Sequence, residues 1–211
     1  LDTTSLESFC SGTDGFVTTW YDQSGNGNDA AQASASSQPQ IVSSGSTILE
    51  NGKPTLEYVN SYFNFSSIVS TASIYVSSVL KQNAVNLWNV FLQGASSSNR
   101  IRFYSSGDIE WRIVSTTIAF TGATHNLFST YQLSRDSSNL VEVHQNTSAL
   151  SGGGSQIGIF DVDRIGVNQG TPPAASQAWE GTISEVVYYD IDQSSNRTGI
   201  ETNINDFYSI Y

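Results

Sequence analysis

The chain has 211 residues, 38% hydrophobic and only 13% charged, with 10 Tyr, 10 Phe and 4 Trp. That is enough apolar and aromatic surface for one packed core, so a single domain over residues 1–211 is expected rather than a disordered segment. A net charge of −11 without any run of Lys or Arg argues against a nucleic-acid partner, and no apolar stretch approaches the about 18–20 residues that membrane insertion requires.

The chain begins in mid-pattern at Leu1-Asp2-Thr3 and is read as a piece of a longer or processed protein. Leu1 to Cys10 reads as a short helix with Leu6, Phe9 and Cys10 on one face. Cys10 stands alone, so no intrachain disulfide can form, and it reads as a small buried hydrophobe. A strand over Phe16–Asp22 then runs into Gln23-Ser24-Gly25-Asn26-Gly27-Asn28. Gly and Asn accept positive φ at little cost, so a tight loop must follow that strand. Gln38 to Val42 reads as an edge strand because it carries Pro39. Asn51-Gly52 marks a turn, and Lys53–Val59 alternates as a strand.

Short strands then recur at Ile74–Leu80, Leu87–Leu92, Arg100–Tyr104, Ile109–Val114, Asn126–Leu133, Leu140–Gln145, Arg164–Val167 and Thr182–Tyr189, separated by Gly, Ser and Asn clusters. Many short strands with polar turns predict an all-β fold, a two-sheet antiparallel β-sandwich. At the end Ile200, Ile204, Phe207 and Tyr208 repeat with helical period, and Ser194 or Ser195 offers an N-cap. A short C-terminal helix should therefore lie against the sandwich.

Three kinds of site are open on this pattern. The first is a metal: Asp22, Asn26 and Asn28 bring together oxygen donors of the kind Ca²⁺ prefers, although not at EF-hand spacing. Asx side chains in tight loops also bond their own backbone, which is the competing reading. The second is a sugar surface. A sugar ring presents a C–H face to aromatics and its hydroxyls to amides and carboxylates. Trp88, Tyr104, Glu110, Trp111, Arg112 and Trp179 supply such groups. The strand Ile109-Glu110-Trp111-Arg112-Ile113 alternates, so it exposes either Trp111 or the Glu110/Arg112 pair. If Trp111 is the platform, Trp111→Ala removes glycan binding without unfolding the domain. The third is catalysis. Glycoside hydrolysis needs two facing carboxyl groups. Of the acids on predicted strands, Glu57, Glu110, Glu142 and Glu185, no two share a strand face at i, i+2. Asp161 and Asp163 flank Val162 as a second acidic spot that Ca²⁺ or Arg164 would relieve. No nucleophile elbow, P-loop, dinucleotide fingerprint or zinc spacing is present.

Two segments together resemble the concanavalin A-like lectin/glucanase superfamily of laminin-G-like type. One is Phe16–Asn28 followed by Gln38-Pro39-Gln40-Ile41-Val42 and Asn51-Gly52-Lys53-Pro54; the other is Trp179–Asp190 with the helix after it. The resemblance implies a concanavalin A-like jelly roll, a fold found in bacterial surface proteins, secreted glycosidases and phage virion proteins. Phe9-Cys10 ahead of Tyr21–Asn28 is similar, more narrowly, to the catalytic domain of fungal-type α-L-arabinofuranosidases. In that family a second cysteine falls near Gly15, and its acid aspartate matches Asn168 here. An amide cannot protonate a leaving group. Glu110 is the nearest candidate nucleophile that the resemblance offers.

The expected function is a non-catalytic, lectin-like glycan-binding module of an extracellular or virion-surface protein. Its partners would be carbohydrate and other subunits of a surface or virion assembly. One alternative is a structural or decoration domain of a phage particle without a small ligand; another is a glycoside hydrolase of arabinofuranosidase type. On this reading the loop Trp20–Asn28 mainly builds the sandwich, and function lies on the aromatic strand face around Trp88–Trp111.

Overall fold

The computed structural model describes residues 1–70, 73–83, 88–94, 99–167 and 177–211. Two antiparallel sheets face each other. The first runs, edge to edge, through Gly15–Phe16, Gln40–Ser43, Leu56–Tyr58, Gly181–Tyr189, Ile74–Gln82, Ser129–Arg135, Leu140–Gln145 and Ser148–Ala149. The second runs through Ser151–Gly152, Thr116–Thr121, Ile109–Ile113, Arg100–Tyr104, Trp88–Gln93, Phe160–Ile165, Phe63–Ser70, Ala30–Ala31 and Thr19–Trp20. Neighbouring strands of the first sheet are mostly distant in sequence. The β-sandwich with a C-terminal helix is thus as expected.

Alternation decides which side chains meet between the sheets. From the second sheet come Phe91, Ile101, Phe103, Ile109, Trp111, Ile113 and Phe160; from the first come Ile74, Val76, Leu80, Tyr131, Leu133, Val141, Val143 and Ile183. Phe103 is the centre of an aromatic cluster, with Tyr131 at 5.0 Å, Trp179 at 5.2 Å and Phe91 at 6.1 Å, all edge-on. Edge-to-face contacts suit the ring quadrupole and add about 0.5–1.5 kcal/mol each to the burial of area.

The C-terminal helix, Arg197–Tyr208, lies on the outward face of the first sheet. Ile204 and Tyr208 pack there on Val79, flanked by Ile200 and Phe128. Phe207 departs from the predicted stripe: it is 55% exposed, with the Lys53 ammonium 4.1 Å above its ring. The predicted serine N-cap also shifts. Ser194 N–H and Oγ–H both donate to Asp192 Oδ1, and a 3₁₀ turn over Ser194–Asn196 precedes the helix.

At the other end of the chain the helix spans Thr3–Phe9 and is capped by Asp2, which accepts from Ser5 N–H at 3.1 Å. Its Phe9 is 89% exposed, against the expected inward face, whereas Cys10 is buried. A Cβ built on Gly15 falls 2.7 Å from Cys10 Sγ. That closeness makes Gly15→Cys a test of the geometry. Oxidation should join the two thiols, close a short loop from position 10 to position 15 and stabilise the domain by about 2 kcal/mol. The gain is read as a rise in the urea midpoint that reducing agent reverses. A pair of free thiols after oxidation would refute the placement.

Candidate functional site

The six predicted sugar-site residues part into two groups. Trp111 and Trp179 are completely buried. Trp111 packs on Phe160 at 5.3 Å, and Trp179 on Phe91 and Phe103. Neither indole can receive a sugar. For Trp111 the cause is strand parity, which sends Glu110 and Arg112 outward and turns the indole into the core. Trp88, Tyr104, Glu110 and Arg112 do share a surface, the outward face of the second sheet. Trp88 is 41% exposed there.

Glu110 is engaged by three donors of its own sheet. Its Oε1 accepts from Arg100 Nε at 2.9 Å, and its Oε2 accepts from Arg102 Nη2 at 2.7 Å and Tyr104 Oη at 2.9 Å. The carboxylate is 5% exposed and consumed by these three donors. The nucleophile position that the arabinofuranosidase resemblance offers is thus a nearly buried carboxylate paired with two arginines. Asn168, the position matching that family's acid, lies outside the described residues.

The loop expected to be scaffold walls a cleft of about 740 Å³. Trp20, Tyr21, Asp22, Gln23, Ser24, Asn26 and Asn28 form one side. The floor is apolar, from Phe65, Ile68, Leu92, Val162 and Ile165 of the second sheet. The opposite wall is Ser184 to Tyr188, with Asp190 and Tyr208. Five consecutive residues of one strand can line a cleft only if it runs beside the strand's edge, since alternate side chains point to opposite faces. The pairing explains this. Gly181–Tyr189 bonds Ile74–Gln82 along one side, but on the other side Leu56–Tyr58 reaches only Gly181, Thr182 and Ile183. Beyond Ile183 that edge opens into the cleft.

The loop is tied by Asp22. Its Oδ1 accepts from Ser24 N–H at 2.7 Å, and its Oδ2 accepts from Ser24 Oγ at 2.8 Å and Asn28 N–H at 3.0 Å. Asp29 returns the tie by accepting from Asp22 N–H at 2.8 Å, and Gln23 Nε2 donates to Tyr21 O at 3.2 Å. Gly25 and Gly27, at φ 84° and 74°, make the bends between these bonds. The Ca²⁺ reading of Asp22, Asn26 and Asn28 competes with this network for the same carboxylate. The structure does bring the three onto one loop, but N–H and O–H donors already point at the Asp22 carboxylate, where a cation would have to sit. Among the described residues no cluster of three or more His, Cys, Asp or Glu is placed to hold a metal.

What the ties leave over is usable. The Asn26 and Asn28 carboxamides have no hydrogen-bond partner among the described residues, and Tyr21 is 66% exposed at the mouth. Hydrogen bonds from Asn28 and Ser24 hold the Asp22 carboxyl below its ordinary value of 3.8. A lowered carboxyl pKa means that the folded loop favours the ionised form. This contribution is complete above the ordinary carboxylate pKa and is lost as pH falls through the lower folded value. Binding in the cleft should therefore hold at neutrality and fall away only as pH drops below the ordinary carboxylate value of 3.8. Asp22→Asn should loosen the loop at neutral pH, read as faster amide exchange at Ser24 and Asn28.

No protein-family model matches the chain, and no curated protein matches it in sequence. Solved structures do match in fold. An arabinofuranosidase complexed with arabinofuranosyl-α-1,2-xylobiose superposes with a TM-score of 0.60 at 16% identity, over 96% of this chain and 53% of that one. The binding domain of Paraclostridial mosquitocidal protein 1 gives 0.57 at 13% identity, over 89% of this chain and 49% of the other. The SAP-like pentraxin of Limulus polyphemus gives 0.52 at 13% identity, over 64% and 72%. The chain thus spans about half the length of the first two. The class defined by this topology is the concanavalin A-like, jelly-roll β-sandwich. At such identities the likeness extends to the fold.

Proposed function

We propose that the chain is a carbohydrate-binding module of an extracellular or virion-surface protein, and that the cleft at the open edge of Gly181–Tyr189 takes the sugar. The observation that carries this reading is the composition of the cleft. An exposed aromatic side chain, Tyr21, stands beside two uncommitted carboxamides, Asn26 and Asn28, over an apolar floor, with Glu185 and Asp190 across from them. A sugar needs both kinds of surface at once, apolar for its C–H face and planar polar groups for its hydroxyls. Concave, largely apolar sites with a few placed polar groups are where small ligands bind. The fold is compatible with such a ligand: the arabinofuranosidase of similar fold is solved with an arabinose-containing saccharide. The enclosure of Glu110 by Arg100, Arg102 and Tyr104 supports binding over hydrolysis at that residue.

A glycan array with the intact chain tests this reading, followed by calorimetry on the best neutral saccharide. Tyr21→Ala should weaken binding about tenfold, the loss of about 1.4 kcal/mol expected for an aromatic anchor. Its melting temperature should stay within about 1 °C, since surface substitutions cost little. Absence of binding to every saccharide, or undiminished binding by Tyr21→Ala, would overturn the assignment.

A further inference from the structure

The outward face of the second sheet carries a second feature, remote in composition from the cleft. Four of the chain's eight Lys and Arg residues lie on it: Arg100, Arg102, Arg112 and Arg164. The strand register sets three of them in one row across the sheet. Arg164 is opposite Gln93, Gln93 opposite Arg100, and Arg100 opposite Arg112. Like charges directly opposite each other destabilise a sheet. A chain with a net charge of −11 has abundant carboxylates for relief, yet this row receives few.

Four acids lie on or beside this face, and of these Asp108, opposite Tyr104, accepts from Ser106 Oγ at 2.8 Å. Glu110 is taken by Arg100 and Arg102. Asp163 pairs with Arg164 at 3.0 Å, and Asp161 accepts from Asn99 Nδ2. None is left for Arg112. The described residues include every Asp and Glu of the chain, and Arg112 forms an ion pair with none of them. Its Nε donates to Val114 O at 3.1 Å, which leaves the two Nη groups as a fork. The turn that fixes it is itself strained. Val114 sits at φ 54°, a left-handed conformation that β-branched residues avoid, and its N–H is held by Asn99 Oδ1 at 3.0 Å. At the far end of the face the Arg102 guanidinium lies between the Trp88 and Tyr104 rings, at 5.0 and 4.9 Å. Two strand spacings of about 4.8 Å and four rises of about 3.4 Å put Trp88 and Arg112 about 17 Å apart. That span exceeds one sugar ring and suits a chain of several.

We propose that this face binds an acidic polysaccharide, with a sugar carboxylate held by the Arg112 fork and a ring further along the chain packed on Trp88. A planar carboxylate matches the guanidinium fork in a two-bond geometry that a point charge cannot reproduce. The acidic remainder of the chain repels a polyanion at long range, so the contact is local. It should weaken in about 0.5 M NaCl, where screening acts within a few ångström.

The test uses the intact chain and polygalacturonate, by affinity electrophoresis and calorimetry at low salt. Binding is expected. Full methyl esterification of the polymer should weaken it about tenfold, Arg112→Gln should do the same, and Arg112→Lys should retain part of it. Trp88→Ala should weaken both the free-acid and the esterified polymer. Melting temperatures show that each variant is folded. Tyr21→Ala, which disables the cleft, should leave polygalacturonate binding unchanged, so the two sites fail or succeed separately. Equal binding of the ester, unchanged binding by Arg112→Gln, or no binding of polygalacturonate overturns the proposal. Dextran sulfate is the remaining arm: binding that depends on Arg112 for the sulfate polymer alone would overturn the carboxylate assignment.

Discussion

Replacing Trp111 with alanine should cost the domain about 4 kcal/mol, in the range for large-to-small substitution of a buried aromatic. The side chain is completely buried and packs on Phe160, so its removal leaves a void lined by rigid strands of both sheets. Those strands cannot collapse into the space without breaking their own ladders. Trp111 Nε1 is buried with no hydrogen-bond partner among the described residues, a penalty the native state already carries. Losing it returns a little of the cost, which is why the upper end of the range is not expected. In a chain of this length each kcal/mol lowers the melting temperature by about 2–4 °C, so the midpoint should fall by roughly 10 °C. Trp88→Ala, at an exposed position, should shift it by less than about 2 °C. A Trp111→Ala midpoint within that same margin of wild type would contradict the core assignment. This reverses what the sequence suggests for Trp111, a surface platform whose loss spares the fold.

Glu110→Gln should destabilise by about 3 kcal/mol, although it changes only a carboxylate to an amide. The side chains of Glu110, Arg100 and Arg102 are 6%, 10% and 12% exposed. Burial pulls the Arg100 guanidinium below its ordinary pKa, and the Glu110 charge pulls it back up. Without that charge two nearly buried cations face each other uncompensated. Breaking a buried pair by removing one partner is costly even where the intact pair contributes little net stability. Urea unfolding measures the loss. Combining Glu110→Gln with Arg102→Met should recover part of it, and the interaction energy of the cycle isolates the pair. A single-variant loss under about 1 kcal/mol would show that solvent reaches these groups more freely than the structure indicates.

The strands legible in sequence are those bounded by strong turn formers. Arg100–Tyr104 ends at Ser105-Ser106-Gly107, and its predicted limits are those observed. Thr116–Thr121 is not legible, because its turn runs through Val114-Ser115 with no Gly or Asn to mark it. The positive φ at Val114 is imposed by tertiary contacts, Asn99 on its N–H and Arg112 on its carbonyl. Phe63–Ser70 is hidden because Ser66-Ser67 interrupts its alternation. Phe160–Ile165 begins before its predicted start because a bulge between Val162 and Arg164 breaks its period. The Trp20–Asn28 loop is legible as a self-tied turn, and Asp22 does tie it. Its place beside an open strand edge is not legible, because the edge belongs to residues more than 150 positions away.

By itself the sequence determined the all-β class, the antiparallel sandwich, the terminal helix and the tight turn after Trp20. Each follows from local period, turn chemistry and composition, which act over a few residues. It also determined that Ile109–Ile113 shows either Trp111 or Glu110 with Arg112 to solvent. Which face turns inward is set by the partner sheet, since a strand's two faces are equivalent until one is covered. Only the tertiary structure decided that Trp111 faces the core, that Glu110 is enclosed by two arginines and a tyrosine, and that Arg112 is left without a carboxylate. The same pairing that stops at Ile183 opens the cleft beside Tyr21, Asn26 and Asn28.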